Sequence, residues 1–482
     1  MIFSTFLLLI AAEGLDLGPV NITGRGYIQN DIRLVLEHRD NGEAAGQFVR
    51  NEASVFGQLN ISVGEHVSGV VSMRPVFYGI ANVSTFGDLL DRQKNDPFFL
   101  EFDNAYLEVS DFLAKGVDLR IGRQVVVWGT SDLFNPTNNL NPRDFYDPLL
   151  FGKSMGTEMV NLKYSTPFDL SIEGIYEPVF RPARLPVEAP AAFNTGVPVA
   201  NASDVAAFAR LQSFQSSLGS LGYGTVSNTF DLRPSLPPVT FNNGNAAVKV
   251  AGHALGTDFS VSYLYGRWDL PVATSVSADL TLAASASGVT STVSHVKLVY
   301  PRMHVLGVDM STSLDKLGGL GLWAELAVIF PQAESLTFTP PTLLTELYGS
   351  TPCPANAPCP VVRSTPFPKL TVGLDYTFTK WLYANLQYLY GFVDEFGIDF
   401  LHSYIVGDLD FKPFGESYLL RFAGVINLND GSVVAYPEIT VKAYSGVAID
   451  LGALIFAGAK GSKFWNPDVG STQLFLRGRL SF

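Results

Sequence analysis

The end of the chain, from Gln473 to Phe482, alternates between two kinds of side chain. One face holds Leu474, Leu476, Gly478, Leu480 and Phe482, and the other holds Gln473, Arg477, Arg479 and Ser481. A period of two is the spacing of a β-strand, whose successive side chains point to opposite sides. This pattern therefore predicts a strand that separates an apolar medium from an aqueous one.

The same alternation recurs near the start of the chain. Between Asn21 and Arg39 nearly every even position is apolar or glycine and nearly every odd position is polar. This run exceeds the about 9 to 11 residues that a strand needs to cross a bilayer. Asp40-Asn41-Gly42 then supplies turn residues before a second alternating run around Val55 to Val63. The two runs predict a β-hairpin.

The composition argues for a membrane barrel and against other membrane or soluble folds. Only 16% of the residues are charged, and Gly, Tyr and Phe number 44, 19 and 35. After the first dozen residues no uninterrupted apolar run approaches the about 20 residues of a membrane helix. We therefore predict one all-β domain, a transmembrane antiparallel β-barrel with lipid outside and water inside.

A strand that ends in Phe482 resembles the C-terminal signal of bacterial outer-membrane β-barrels. The resemblance implies that the protein resides in the bacterial outer membrane, contacts its lipid and is recognised by the barrel-assembly machinery through this strand. Residues 1–12 contain an apolar stretch ending in Ala11-Ala12 and predict a signal peptide, although no Lys or Arg precedes it. The alternative is an ordinary apolar strand. The barrel domain is predicted over residues 13–482.

The alternating runs predict 18 strands, with 20 as the alternative. Segments 272–284 and 403–411 are weaker, and together they would bring the count to 20 and place the loop 331–366 outside. Without them that loop faces the periplasm. The predicted strands lie near residues 20–39, 47–64, 66–79, 99–110, 116–128, 156–165, 168–178, 245–256, 257–268, 291–300, 303–313, 319–330, 367–378, 381–392, 416–428, 434–445, 447–459 and 471–482.

Long loops are predicted at residues 129–155, 179–244 and 331–366. Long loops of such barrels face outward and short turns face the periplasm. The Pro-rich loop 179–244, with a short helix predicted near Val205 to Leu218, either folds into the barrel or extends into the medium; its apolar residues favour the inward position. Cys353 and Cys359 predict a small disulfide ring, with two unlinked thiols as the alternative. No metal or cofactor site is expected.

The segment Gly122 to Pro136 is the densest motif of the chain. It combines Gly122-Arg123-Gln124, Trp128-Gly129 and Asn135-Pro136, and a second Asn-Pro pair follows at Asn141-Pro142. This combination resembles porin-like outer-membrane proteins related to the alginate-export group. The resemblance implies diffusion or export of a small or polymeric polar solute. The Asn-Pro pairs predict stiff turns, and Trp128 is expected at the outer aromatic belt or rim.

Arg123 does not fit the alternation of its strand. It shares parity with Val117, Ile121 and Val125, so a regular strand would point it at lipid, where an arginine in mid-bilayer costs about 2 to 4 kcal/mol. Either a β-bulge turns Arg123 inward, as bulges near functional sites do, or the side chain reaches the lipid headgroups.

Charged residues on the polar faces are predicted to line a pore. The early and late strands would carry a basic arc of Arg25, Arg33, Arg39, Arg50, Arg74, Arg120, Arg421, Lys442, Arg477 and Arg479. Middle strands would carry an acidic wall of Asp169, Glu173, Asp258, Asp309, Glu325 and Asp375. Exceptions are Asp31, Glu37, Glu52 and Glu108 in the first set and Lys163, Lys249 and Lys297 in the second. Such arcs would order dipolar solutes; the alternative is mutual pairing in a wide, solvated lumen.

Enzymatic and nucleic-acid functions find little support. The six histidines are scattered, and no P-loop, nucleophile elbow or metal-spaced cluster occurs. The net charge of −13 opposes nucleic-acid binding. We expect a porin-like channel for small polar solutes or ions, with homo-oligomers as an option. The alternative is a non-conducting barrel that serves as a surface anchor or as a subunit of an envelope export or secretion complex.

Overall fold

The computed structural model describes residues 15–16, 18–37, 45–131, 134–185, 226–282, 290–339, 359–465 and 471–482. The predicted signal peptide, the helix expected near residues 205–218 and Cys353 lie outside the described residues. Cys359 begins a short strand, Cys359–Val362, but its side chain is not described, so the predicted disulfide also lies outside them.

The protein is a closed antiparallel β-barrel of 18 strands, as the alternation predicted. The strands are β1 Val20–Val35, β2 Phe48–Val63, β3 Val67–Tyr78, β4 Phe98–Val109, β5 Val117–Gln124, β6 Thr157–Ser165, β7 Leu170–Glu177, β8 Asn245–Ala254, β9 Thr257–Arg267, β10 Arg302–Leu314, β11 Leu320–Pro331, β12 Phe367–Thr379, β13 Leu382–Tyr390, β14 Ser403–Phe411, β15 Tyr418–Asn427, β16 Val433–Tyr444, β17 Val447–Ala457 and β18 Gln473–Ser481.

The barrel closes where its first and last strands meet. β1 pairs with β18 from Tyr27 opposite Ser481 to Val35 opposite Gln473, and with β2 on its other side. Each remaining strand pairs with its two neighbours along the chain. Closure leaves no open edge, which a sheet in hydrocarbon cannot tolerate because lipid offers no partner to backbone N–H and C=O groups. Separately, no helix among the described residues is long and apolar enough to span a membrane.

Side chains alternate between the two faces as predicted. On β10, Leu306 and Val308 point outward and are 49% and 45% exposed, whereas Val305 and Asp309 point inward and are buried. The outward residues of the other strands are likewise mainly Leu, Val, Ile and aromatic residues. The outer surface is therefore the apolar one.

The two rims of the barrel differ in the length of their connections. One rim, here the short-turn rim, carries the start of β1, the end of β18 and connections such as 255–256 and 445–446. The other, here the long-loop rim, carries the connections 79–97, 125–156, 178–244, 268–301 and 332–366. The loop 331–366 thus lies on the same rim as the other long loops.

Two strand assignments from the sequence are wrong although the total is right. Segment 403–411, rated weak, is barrel strand β14. Segment 291–300 is not a barrel strand: Thr290–Val299 forms a hairpin with Val272–Leu282. This hairpin joins Val226–Pro234, Glu334–Thr339 and Cys359–Val362 in a five-stranded sheet at the long-loop rim, which we call the outer sheet. Alternation specifies a strand but not which sheet the strand joins.

The assignment of the lipid-facing and lumen-facing sides of the sheet can be tested with two neighbouring residues at the same depth in the membrane. Val250 points outward on β8, and Ala251 points into the lumen. Val250→Arg should lower the unfolding free energy by about 2 to 4 kcal/mol, because the charge enters lipid. Ala251→Arg should cost far less, because it faces water. Urea unfolding in phospholipid vesicles measures both; equal losses would contradict the assignment of the faces.

Candidate functional site

The connection between β5 and β6, residues 125–156, lies inside the barrel and is called the inward loop. Asp147 of the loop binds Arg33 of β1, Thr137 binds Glu325 of β11, and the carbonyl of Phe134 accepts a hydrogen bond from Thr371 of β12. These strands belong to different sides of the cylinder. The inward loop therefore spans the lumen instead of extending beyond the long-loop rim.

The first anchor of the inward loop is a buried carboxylate. Asp147 Oδ1 lies 2.7 Å from Arg33 Nη1, and Asp147 Oδ2 lies 2.9 Å from both Arg33 Nη2 and Arg50 Nη1. Arg33, only 1% exposed, also binds Asp31 at 2.8 Å. Burial alone would raise the pKa of Asp147, but the two arginines hold it well below its usual range. The carboxylate is therefore ionised and fixes the loop tip to β1 and β2.

The second anchor is the carboxylate of Glu325 on the opposite side. Glu325 Oε1 accepts hydrogen bonds from the backbone N–H groups of Thr130 and Ser131, and Oε2 accepts one from Thr137 Oγ1 at 3.0 Å. Gly129 has φ of +102°, and a Cβ there would lie 2.6 Å from Glu325 Oε2. Only glycine suits this position. Glu325, predicted to line the pore, thus serves to hold the inward loop.

Apolar side chains fix the rest of the inward loop. Trp128, Phe134, Leu140 and Phe145 are each at most 5% exposed and belong to two apolar clusters that occupy the long-loop half of the barrel. The indole Nε1 of Trp128 donates to Glu173 at 2.9 Å. The expectation that Trp128 sits at the outer aromatic belt or rim is therefore wrong, because its partner lies on the inner face of β7.

The two Asn-Pro pairs shape the inward loop through the amides of their asparagines. Asn141 Oδ1 accepts from the N–H of Val126 at 2.7 Å, and its Nδ2 donates to the carbonyls of Gln124 and Met155. Asn135 Nδ2 donates to the carbonyl of Trp128 at 3.4 Å. These bonds satisfy loop backbone groups that lie away from water. The stiff loop predicted from the motif is thus held by side-chain caps.

A polar cluster at the long-loop rim ties two further connections, 391–402 and 458–472, to the inward loop. Glu395 accepts hydrogen bonds from His402 Nδ1 at 2.8 Å, Lys463 Nζ at 3.1 Å and the hydroxyl of Tyr404. Burial would raise the pKa of Glu395, but Lys463 and these hydrogen bonds lower it. The ring of neighbouring Phe392 packs against Phe134 at 4.8 Å. We call Glu395, His402, Tyr404 and Lys463 the rim clasp.

A charged crevice separates the inward loop from β2, β3 and β4. It is lined by Arg50, Glu52, Arg74, Phe99, Glu101, Asp144, Tyr146, Asp147, Leu150 and Lys153. Arg74 Nη2 lies 2.6 Å from Glu101, and Lys153 Nζ lies 2.9 Å from Asp103. Burial raises the pKa of Tyr146 to about 12, so the phenol stays protonated. We call this space the loop crevice.

Most predicted pore-lining bases have carboxylate partners. Arg120 lies 2.8 Å from Glu108, Arg421 lies 2.8 Å from Asp410, and Arg477 lies 3.4 Å from Asp31. Lys442 is 4.0 Å from Glu416. Among the predicted bases that the structure describes, the exceptions are Arg25 and Arg479, which donate hydrogen bonds to Gln58 and Gln29; Arg39 lies outside the described residues.

The predicted acids occupy varied positions. Asp309 accepts a hydrogen bond from Ser260, and Glu173 binds Trp128 and Asn161. Asp375 is on the inner face of β12 beside Gly321, and Asp169 is in the turn before β7 with φ of +56°. The sequence analysis missed further inner-face acids, namely Asp408, Asp410, Glu438 and Asp450. They lie among the predicted bases, so the charges of that wall are mixed.

Arg123 shares the outward parity of Ile121, although the backbone is irregular beside it, with φ of +127° at Gly122. Its Nη1 lies 3.1 Å from Glu158 Oε1, directly across on β6, and its Nε donates to the carbonyl of Phe102. Arg181 also reaches Glu158, at 3.4 Å. The charge near this rim is thus neutralised by a cross-strand pair.

The Asp147 anchor gives a stability prediction. Asp147→Ala should lower the unfolding free energy by about 3 to 5 kcal/mol, because Arg33 and Arg50 are left buried without that partner. Urea unfolding in vesicles measures the loss. Glu65→Ala, in an exposed turn at the short-turn rim, is the control and should change little. A loss no larger than that of the control would show that Asp147 does not hold the loop.

The rim clasp gives a pH prediction. The hydrogen bond to Glu395 raises the pKa of His402, so the folded protein binds this proton more tightly than the unfolded chain. Its stabilisation is complete below about pH 6.5, the ordinary histidine pKa, and is lost as pH rises through the raised value. The difference in unfolding free energy between wild type and His402→Gln should shrink as the pH rises from about 6.5 through the raised pKa of His402. A difference independent of pH would contradict the protonated clasp.

Comparisons with known proteins place the chain in a family without an assigned function. Similar solved structures include OmpT, an outer membrane protein of Vibrio cholerae, at 9% identity and a TM-score of 0.39 over 98% of this chain and 100% of that one. OmpF of Salmonella typhi, in complex with daunomycin, has 8% identity and a TM-score of 0.42 over 97% and 100%. No curated protein matches the sequence. The family model of the protein of unknown function DUF1302 matches residues 42–411, and the chain belongs to that family.

Proposed function

We propose that the protein is an outer-membrane channel through which small polar solutes or ions diffuse passively, and that the inward loop sets its width. The observation that carries this proposal is the loop crevice, a charged space between the inward loop and the barrel wall. A polar path beside a loop that crosses the lumen is the arrangement that a selective pore requires.

The inner wall of the barrel between the crevice and the short-turn rim also supports a channel. On β1, Asn21, Thr23 and Arg25 point inward near the short-turn rim and are exposed, whereas Asp31 and Arg33, further along, are buried beside the inward loop. β18 shows the same gradient from exposed Ser481 to buried residues at its other end. The short-turn half of the lumen is thus a solvated vestibule, which leads toward the crevice.

The crevice itself favours ions and dipolar solutes over apolar ones. It carries Arg50, Arg74 and Lys153 together with Glu52, Glu101, Asp144 and Asp147. Arg184 adds a further charge, stacked over the ring of Tyr146 at 3.9 Å and 3.5 Å from Glu101. Fixed charges of both signs replace part of the hydration shell of a polar solute, whereas they give no stabilisation to an apolar one.

One observation favours the alternative of a non-conducting barrel. The apolar clusters around Trp128 and Phe134 fill much of the long-loop half of the interior. A barrel filled in this way would serve as a surface anchor or as a subunit of an envelope export or secretion complex, with the outer sheet as its docking surface. The resemblance of residues 122–143 to the alginate-export group is compatible with either candidate, and so is assembly into homo-oligomers. Neither candidate function is enzymatic.

The proposal is tested by the conductance of the purified full-length protein in planar bilayers. We expect stable ohmic steps. The double variant Arg74→Ala/Glu101→Ala removes a neutral ion pair from the crevice and should raise the step size, because it widens the narrow path. Arg120→Ala/Glu108→Ala removes a similar pair that does not line the crevice and should leave the steps nearly unchanged.

Two results would contradict the channel. Absence of steps from protein that is folded, as shown by its β-sheet circular dichroism, would favour the anchor. Equal step sizes in wild type and both double variants would show that ions do not pass through the loop crevice.

A further inference from the structure

Two inner-face arginines carry charges that no carboxylate balances. Arg25 Nη2 donates to Gln58 Oε1 at 2.9 Å, and Arg479 donates from Nε and Nη2 to Gln29 Oε1 at 3.0 and 2.7 Å. Neither forms an ion pair with any residue that the structure describes. In contrast, the other arginines on the inner faces of the strands each lie within 4 Å of a carboxylate, namely Arg33, Arg50, Arg74, Arg120, Arg421 and Arg477.

The glutamine partners hold the two guanidinium groups without neutralising them. Arg25 is directly opposite Gln58 on β2, and Arg479 is directly opposite Gln29 on β1. Gln58 Nε2 donates to Asn60 Oδ1 at 2.9 Å, which directs the amide oxygen of Gln58 toward Arg25. A guanidinium has five N–H donors, so both arginines keep donors free for a ligand.

The two arginines belong to one patch at the seam where the barrel closes. Tyr27 lies between Arg25 and Gln29 on the inner face of β1, and the guanidinium carbon of Arg479 is 4.8 Å from the centre of its ring. Arg479 is opposite Gln29, four residues along β1 from Arg25, so the two arginines lie roughly 13 Å apart along the strands with Tyr27 between them. The patch faces the solvated vestibule, since Arg25 is exposed and Arg479 is partly exposed.

The two acids opposite Arg477, two residues from Arg479, are already engaged. Asp31 binds Arg33 at 2.8 Å and Arg477 at 3.4 Å, and Asp450 accepts a hydrogen bond from Thr440 at 2.8 Å and lies 3.9 Å from Arg477. Their charges are balanced within the wall, so the seam presents a local excess of positive charge. This excess occurs in a protein whose net charge is −13.

We propose that Arg25 and Arg479 form a binding site for solutes that carry a carboxylate or phosphate group. The planar guanidinium matches the two oxygens of such groups and binds them with paired hydrogen bonds. The transport role of this site rests on the proposed function. If the protein is a channel, small organic anions are its solutes, and the seam between β1 and β18 is where they bind in the vestibule.

The test measures binding of citrate and, separately, of inorganic phosphate to the full-length barrel in detergent by calorimetry. Arg25→Gln/Arg479→Gln should weaken binding of the preferred anion by roughly tenfold or more, the effect of losing one charge-assisted hydrogen bond. Arg25→Lys/Arg479→Lys keeps the charge but not the paired geometry, and should lie between wild type and the glutamine variant. Preference for citrate identifies carboxylates, and preference for phosphate identifies phosphate esters.

The matched control is Arg120→Gln/Arg421→Gln, which removes the same charge from arginines whose donors already bind Glu108 and Asp410. Its affinity should stay within about twofold of wild type, because distant charges are screened by salt. Equal losses in the two glutamine variants, or no anion binding by wild type, would overturn the site.

Conductance of the same samples separates this inference from the proposed function. A silent barrel that binds the anion through the seam refutes the channel and supports the site. A conducting barrel whose anion affinity is unchanged by Arg25→Gln/Arg479→Gln supports the channel and refutes the site.

Discussion

Backbone hydrogen bonding within a closed cylinder is the constraint on which the rest of the structure depends. In hydrocarbon each unpaired N–H or C=O group costs several kcal/mol, so the sheet must pair its first strand with its last. The pairing of β1 with β18 meets this requirement and fixes the register of both strands. With the register fixed, Ile28 and Leu480 face out, and Arg25 and Arg479 face in. The proposed anion site is thus a product of closure.

The interior of the barrel contains both a packed apolar region and a polar crevice. The inward loop brings Trp128 and Phe134 into the long-loop half, where they pack as in a soluble core. Ion pairs and caps at Asp147 and Glu325 hold it there. Because these anchors attach to different sides of the barrel, the loop leaves its charged flank facing β2 to β4. The loop crevice follows from the position of the anchors.

Alternation was sufficient to predict the barrel, because lipid and water impose period two on every spanning segment, but it left the number of strands open between 18 and 20. It failed where another sheet imposes the same period: Val272–Leu282 and Thr290–Val299 alternate as barrel strands do but pair in the outer sheet. Inner-face residues such as Arg25, Arg74 and Glu325 could be named from parity. The loop partners of Arg33 and Glu325 could not, because Asp147 and Thr130 belong to a loop whose path no local pattern records.

The central claim, that residues 125–156 fold into the barrel, can be tested with a designed disulfide. A Cβ built on Gly307 of β10 lies 3.3 Å from Cβ of Thr137, close to disulfide geometry. With Cys353 and Cys359 replaced by serine, the variant Thr137→Cys/Gly307→Cys should form this bond on oxidation, seen by mass spectrometry of the linked peptides. Thr137→Cys/Gly407→Cys, which places the second cysteine on β14, should not. Free thiols in the first variant, with the barrel folded, would place the loop outside the lumen and contradict the account.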